Sequence, residues 1–160
     1  MRHLFTAVLP ILALVSALAM VDAAADDRAG YYYPDISSEE TFERSFPNTP
    51  PADREVRINF ITQITKAQLE APETPRFAIF AKGSRAQHMI IVALDDEIFR
   101  TLYRARAQLA QLTGNARSTD FFVNNNIQFT ATWFDLTKLL GFKDIVISDG
   151  VDWAHKIHLK

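Results

Sequence analysis

The sequence predicts an α+β domain: a small antiparallel or mixed sheet of about four strands, set out as two hairpins, with helices packed on it. Three observations predict it. Two short apolar runs rich in β-formers, residues 76–82 and 88–94, flank a five-residue link at 83–87. Asp149-Gly150 separates two further apolar, partly alternating segments, 143–148 and 151–159, and Asp-Gly in that setting is a strong hairpin signal. Between and before the two hairpins, apolar residues recur at helical spacing over residues 53–70, 96–116 and 132–140.

Taken in order, residues 26–51 read as an arm, carrying Tyr31, Tyr32 and Tyr33 before Pro34, and then Pro47, Pro50 and Pro51. A residue that precedes proline is pushed out of the α region, so the tyrosines should be extended. Ser37 and Glu40 have capping-box spacing, which predicts a short helix over 38–44. The first main helix, 53–70, carries Val56, Phe60, Ile61, Ile64, Ala67 and Leu69, and Pro72 and Pro75 end it. The strand pair 76–82 and 88–94 is apolar on consecutive positions, which predicts strands covered on both faces. Asp95, Asp96 and Glu97 are placed to cap a long helix over 96–116, with Ile98, Leu102, Ala105, Leu109, Leu112 and Ala116 as its apolar stripe. Residues 119–128 fit more than one structure. Residues 132–140 should form a short helix stopped by Gly141.

The N-terminus has the order of a cleavable secretion signal: basic Met1-Arg2-His3, an apolar run over 4–21, then Ala23-Ala24-Ala25 before Asp26. Cleavage after Ala23 or after Ala25 fits, so residues 1–25 are expected to be a signal peptide. The rival is an uncleaved anchor, since the run reaches the lower limit of about 17 residues for a spanning helix. Pro10 and Ser16 interrupt it, and no basic stop-transfer flank follows. The protein is therefore expected in the periplasm or outside the cell, touching a membrane only through the signal before cleavage. The remaining length of about 135 residues is one domain, taken as 52–160 behind the arm. There is no cysteine, which removes disulfides, thiolate catalysis and cysteine metal sites. Net charge is −2 with scattered basic residues, so no nucleic-acid footprint is present.

Candidate chemistry is sparse. His155 and His158, near Asp149 and Asp152, are zinc-type residues, but in a strand a spacing of three points them to opposite faces, and only a helix would bring them together. Ser148-Asp149-Gly150 reads first as a turn. Ser84 with His88 as base and Asp95 or Asp96 as orienter has the residue types of a hydrolytic triad, whose roles are set by geometry alone. Gly83 by itself makes no phosphate loop. The sequence implies no cofactor and no metal. Three adjacent tyrosines in an extended arm cannot all face inward, so Tyr31, Tyr32 and Tyr33 are candidate contacts for another periplasmic protein; the other reading packs the arm on its own domain.

The stretches Ala29-Gly30-Tyr31-Tyr32-Tyr33-Pro34, Phe77-Ala78-Ile79-Phe80-Ala81-Lys82-Gly83, Thr101-Leu102-Tyr103-Arg104-Ala105-Arg106 and Phe134-Asp135-Leu136-Thr137-Lys138-Leu139-Leu140-Gly141-Phe142 carry a resemblance, which extends to Ser148-Asp149-Gly150. The chain resembles a family of short secreted bacterial proteins without an established activity, some of them labelled molybdopterin-guanine dinucleotide biosynthesis protein A. The resemblance implies export and one fold over nearly the whole mature chain. The label implies nucleotide transfer, whose glycine-rich loop followed by arginine and lysine is missing here, and no catalytic residue carries over. The expectation is an exported accessory or binding module. The alternatives are a small hydrolase using His88 or His155 with Asp149 or Asp95, and the nucleotidyltransferase of the label.

Overall fold

The computed structural model describes residues 33–45, 52–95, 98–124 and 126–160. The expected signal segment 1–25, Tyr31, Tyr32, Pro47, Pro50, Pro51, Asp96 and Glu97 lie outside the described residues. The elements run β1 (Ser38–Phe42), α1 (Arg54–Glu70), β2 (Phe77–Lys82), β3 (His88–Ala93), α2 (Leu102–Arg117), α3 (Asp120–Asn124), α4 (Trp133–Leu139), β4 (Asp144–Ser148) and β5 (Ala154–Leu159). This is an α+β fold with one mixed sheet of five strands in the order β1-β5-β4-β3-β2. Both expected hairpins form, β2 with β3 and β4 with β5, each antiparallel. They join side by side through a parallel β3–β4 pair, the crossover between them carrying α2, α3 and α4. Among the described residues no helix is long and apolar enough to cross a membrane.

Three expectations are corrected. Residues 38–44 do not form a helix: Ser38–Phe42 is β1, paired parallel to β5 from Ser38↔His155 to Phe42↔Leu159. The capping spacing was local, whereas the open edge of β5 offered a full ladder of backbone partners, and Phe42 packs at the core against Phe134 with ring centroids 5.1 Å apart. The long helix starts at Leu102, capped by Thr101, whose hydroxyl accepts from the Arg104 N–H. Residues 98–101 bend instead, which seats Ile98 and the fully buried Phe99 in the core, while the Asp95 carboxylate pairs with Arg76 at 3.0 Å. Finally, β2 is an edge strand, with Phe80 41% exposed, rather than a strand covered on both sides.

Residues in register share a face, so the sheet's two surfaces can be read off the pairing. Ile79, Met89, Ile91, Ile145, Ile147, Ile157 and Leu159 lie on one face and form the main core with Leu109, Leu112, Phe122, Trp133 and Leu136 from the helices. The opposite face carries a polar row at one end: Lys82, His88, Asp144, His158 and Thr41 are successive cross-strand neighbours.

Arg57 ties three segments together. It is 2% exposed, and its guanidinium donates to the carbonyls of Ala52, Arg85 and Leu140 at 2.7–3.1 Å, with Gly141 O at 3.4 Å. These are the start of α1, the β2–β3 loop and the C-terminus of α4, whose last carbonyls need donors. Burial, then the Arg85 charge, draws the guanidinium pKa down, against a smaller pull upward from Asp53. Gly141 turns at φ 80, and a Cβ there would stand 2.6 Å from Arg57 Nη1. Lysine cannot reproduce a planar fork of donors, so Arg57→Lys is expected to lower unfolding free energy in urea by about 3 kcal/mol. Gly141→Ala should cost at least about 1 kcal/mol at the same junction.

Candidate functional site

His88 begins β3 and Asp144 begins the neighbouring parallel strand β4, so the register sets them side by side. His88 Nδ1 lies 2.8 Å from Asp144 Oδ2, and His88 Nε2 lies 2.9 Å from Gln87 Nε2. Gln87 Oε1 accepts from the Arg85 N–H at 2.9 Å, which fixes the amide orientation and leaves the amide nitrogen to donate to His88. The imidazole is thereby set as the tautomer with its proton on Nδ1, directed at Asp144. A histidine with both nitrogens engaged in this way is not poised as a base for Ser84.

His155 sits on the core face of β5. Its Nδ1 is 2.8 Å from Ser38 Oγ, its ring stacks on Trp153, and its Nε2 is 3.3 Å from Glu40 Oε1. Nε2 has no hydrogen-bond partner among the described residues, so the last contact is a close approach only. Glu40 is held on its other oxygen by Arg106 at 2.6 Å. Burial raises the Glu40 pKa, but Arg106 and His155 together outweigh it and leave the carboxyl below its ordinary value. Serine, imidazole and carboxylate thus meet in the order of a nucleophilic relay. Such a relay also needs N–H donors facing an oxyanion, and the described contacts supply none at Ser38. On the opposite face, His158 Nε2 meets Glu39 Oε2 at 2.9 Å, which lowers the Glu39 pKa. The two histidines therefore point to opposite sides of the sheet, as a strand spacing of three requires. No group of three or more metal-ligating side chains is found among the described residues.

The other sequence candidates are placed apart from these. Asp149 organises the β4–β5 connection: its Oδ1 accepts from the N–H groups of Val151, Asp152 and Trp153 at 2.9–3.1 Å. Burial raises its pKa, and those three donors outweigh the burial and bring it below the usual value. The link spans residues 149–153 rather than a two-residue turn. Asp95 pairs with Arg76. Tyr33 is half-buried, and the stretch that follows it enters the sheet as β1. Thus neither His88 nor His155 meets Asp149 or Asp95; their carboxylate partners are Asp144 and Glu40.

Two apolar hollows lie on either side of α1. One, of about 760 Å³, runs between α1 and the edge strand β2, lined by Ile58, Ile61, Thr65 and Leu69 from the helix and Ile79, Phe80 and Ala81 from the strand. The other, of about 420 Å³, opens between α1 and the α2–α4 pair. A third, of about 330 Å³, is lined by Arg76 and Arg104 near α2. Ser38, His88, Asp144 and His155 line none of them. No family model, curated protein or solved structure matches the chain.

Sequence reasoning missed Ser38, Glu39, Glu40 and Asp144. Their partners lie 117, 119, 115 and 56 residues away, through parallel pairings that leave no local signal. The pairs on β1 have a pH signature. Glu39 and Glu40 have folded pKa values below the ordinary 4.5, so the stability they contribute is present above that pH and lost as pH falls through the folded values. Hydrogen exchange is expected to show β1 amides losing protection below pH about 4.5 while those of β4 stay protected. A Glu39→Gln/Glu40→Gln variant should lose most of that pH dependence.

Proposed function

We propose that the chain is an exported binding module, without a reaction of its own, that takes an extended apolar segment of a partner protein as an added strand along β2. One observation carries this reading: among the described residues, the backbone of β2 presents unspent groups to the hollow beside α1. Leu94 N donates to Arg76 O at 2.8 Å, so Arg76 and Leu94 are a hydrogen-bonded pair of the antiparallel ladder. Such pairs alternate, so residues 78, 80 and 82 bond to β3 while Phe77, Ile79 and Ala81 turn their N–H and C=O outward. Gln68 Nε2 on α1 donates to Phe77 O at 3.0 Å, in keeping with that direction. Farther along, Ile79 and Ala81 face the apolar trough whose walls include Leu69 and Phe80, 75% and 41% exposed. An exposed edge with a helix beside it is the arrangement that strand addition uses: main-chain bonds give affinity and alternate side chains fill the trough.

The hydrolase alternative has imidazole–carboxylate contacts, but they lie away from all three hollows. Of the three tyrosines, the described Tyr33 is half-buried and leads into β1, which supports its packing on its own domain.

Display selection of random dodecapeptides on the full mature chain tests the reading. Selected peptides are expected to shift the amide resonances of Ile79 and Ala81. Ala81→Pro removes an outward N–H at an edge position that tolerates proline, so it should abolish binding and leave the thermal melt within a few degrees. Peptides that bind Ala81→Pro as well as the parent would overturn it. So would a parent dimer that Ala81→Pro converts to monomer, since the edge would then serve self-pairing.

A further inference from the structure

Strand β2 ends in Lys82, the only charged residue of its sequence Phe-Ala-Ile-Phe-Ala-Lys. Lys82, His88, Asp144, His158 and Thr41 are successive neighbours across the second face of the sheet. Because β2 is an outer strand of the described sheet, Lys82 stands at the end of that row, on the edge a partner strand would join. Directly opposed residues on neighbouring strands have Cβ atoms about 5 Å apart, so whatever a partner sets opposite Lys82 meets its charge. Asp144 is then three strands away, about 14 Å at the usual strand spacing, which is beyond a screening length of about 8–10 Å. The charged lining of the trough has the same sign. It consists of Lys66, Glu70 and Lys82, two cations against one anion, and Lys66 and Glu70 already meet each other on α1 at 3.8 Å.

The neighbouring positions set the rest of the pattern. Gln68 already takes Phe77 O, so the ladder offered to a partner runs over Ile79 and Ala81. Residues opposite these two lie on the α1 side of the sheet, where Ile58, Ile61 and Leu69 form the wall of the trough. The residue opposite Phe80 lies on the second face, beside a ring that is 41% exposed. An aromatic side chain there pairs ring with ring. Antiparallel pairing is the more stable per residue, and a partner running that way meets Lys82 first and Ile79 last.

We infer that the occupant of the β2 edge is an antiparallel segment of another protein that reads acid, apolar, aromatic, apolar, with its carboxylate set opposite Lys82. The site is the edge proposed above and depends on strand addition there. Main-chain bonds to Ile79 and Ala81 give affinity, and Lys82 chooses among apolar strands and fixes their register.

Two fluorescently labelled peptides are the probes, Ser-Asp-Val-Tyr-Ile-Thr-Ser and the same peptide with lysine in place of aspartate. In anisotropy titrations of the full mature chain, the aspartate peptide is expected to bind about fivefold more tightly, the worth of one attractive against one repulsive cross-strand pair at an exposed edge. Salt at about 1 M should bring the two affinities together. Lys82→Glu should reverse the order and Lys82→Arg should keep it, with circular dichroism checking that both variants are folded. Equal affinities for the parent at low salt would overturn the inference, as would an aspartate preference that survives Lys82→Glu. If both peptides bind the parent equally and both are lost in Ala81→Pro, strand addition stands and only the role of Lys82 falls. If both bind Ala81→Pro as well as the parent, the edge itself is not the site and both readings fall. Failure of both to bind the folded parent also removes the inferred pattern, and peptides selected by display then show whether the edge takes strands of another kind.

Discussion

The arrangement of this molecule depends on one buried guanidinium. Arg57 makes no salt bridge among the described residues; carbonyls from three separate segments take its hydrogen bonds, and the Asp53 charge adds a smaller attraction. A buried charge held in this way is specific because of what its loss leaves behind: several carbonyls without donors, in a place water does not reach. The contact anchors the first turn of α1 to the end of α4, and Gly141 is needed there because any side chain would meet the guanidinium. Farther down the helix, Gln68 fastens α1 to Phe77 at the start of β2.

Between these two fastenings α1 lies against the core with a hollow on either side of it. Ile58, Ile61 and Leu69 face one hollow, and Phe60, Ile64 and Ala67 face the other. Around the helix Ala67, Phe60, Ile64, Ile61, Ile58 and Leu69 follow one another at steps of about 20–60°, so they form one broad apolar arc whose two margins open on the two hollows. Arg57 is the single residue of α1 that is buried outright. Phe60, Ile61 and Ile64 pack against the main core cluster, which holds Met89, Ile91, Ile145, Ile147 and Ile157 of the sheet.

How much of this was legible in the sequence follows the range of the interactions. Both hairpins, the Thr132–Gly141 helix unit and α1 were legible because turn chemistry, capping and periodicity are local: Asp53 caps α1, and Thr132 with Asp135 forms a capping box. The mixed, five-stranded order was not. Nothing near Ser38 says that it will lie beside His155, and Ser37 and Glu40, whose spacing fits a capping box, instead meet the Ala154 N–H and Arg106. The candidate residues fared likewise. His88 was visible as a lone histidine at a strand start, but Asp144 became its partner only through the parallel β3–β4 register.

The parallel seating of β1 on β5 also sets an order of events during synthesis. Ser38 leaves the ribosome well over a hundred residues before His155, and until β5 is made the first strand has no neighbour in the sheet. Helices and the β2–β3 hairpin can form early from near neighbours, whereas the strand made first is completed last. Closing so long a loop is slow compared with local pairing, so the chain passes through a stage in which four segments are organised and the fifth still trails. A nascent chain is therefore kept from sealing its sheet until β5 is present, a built-in delay written in topology rather than in any single residue.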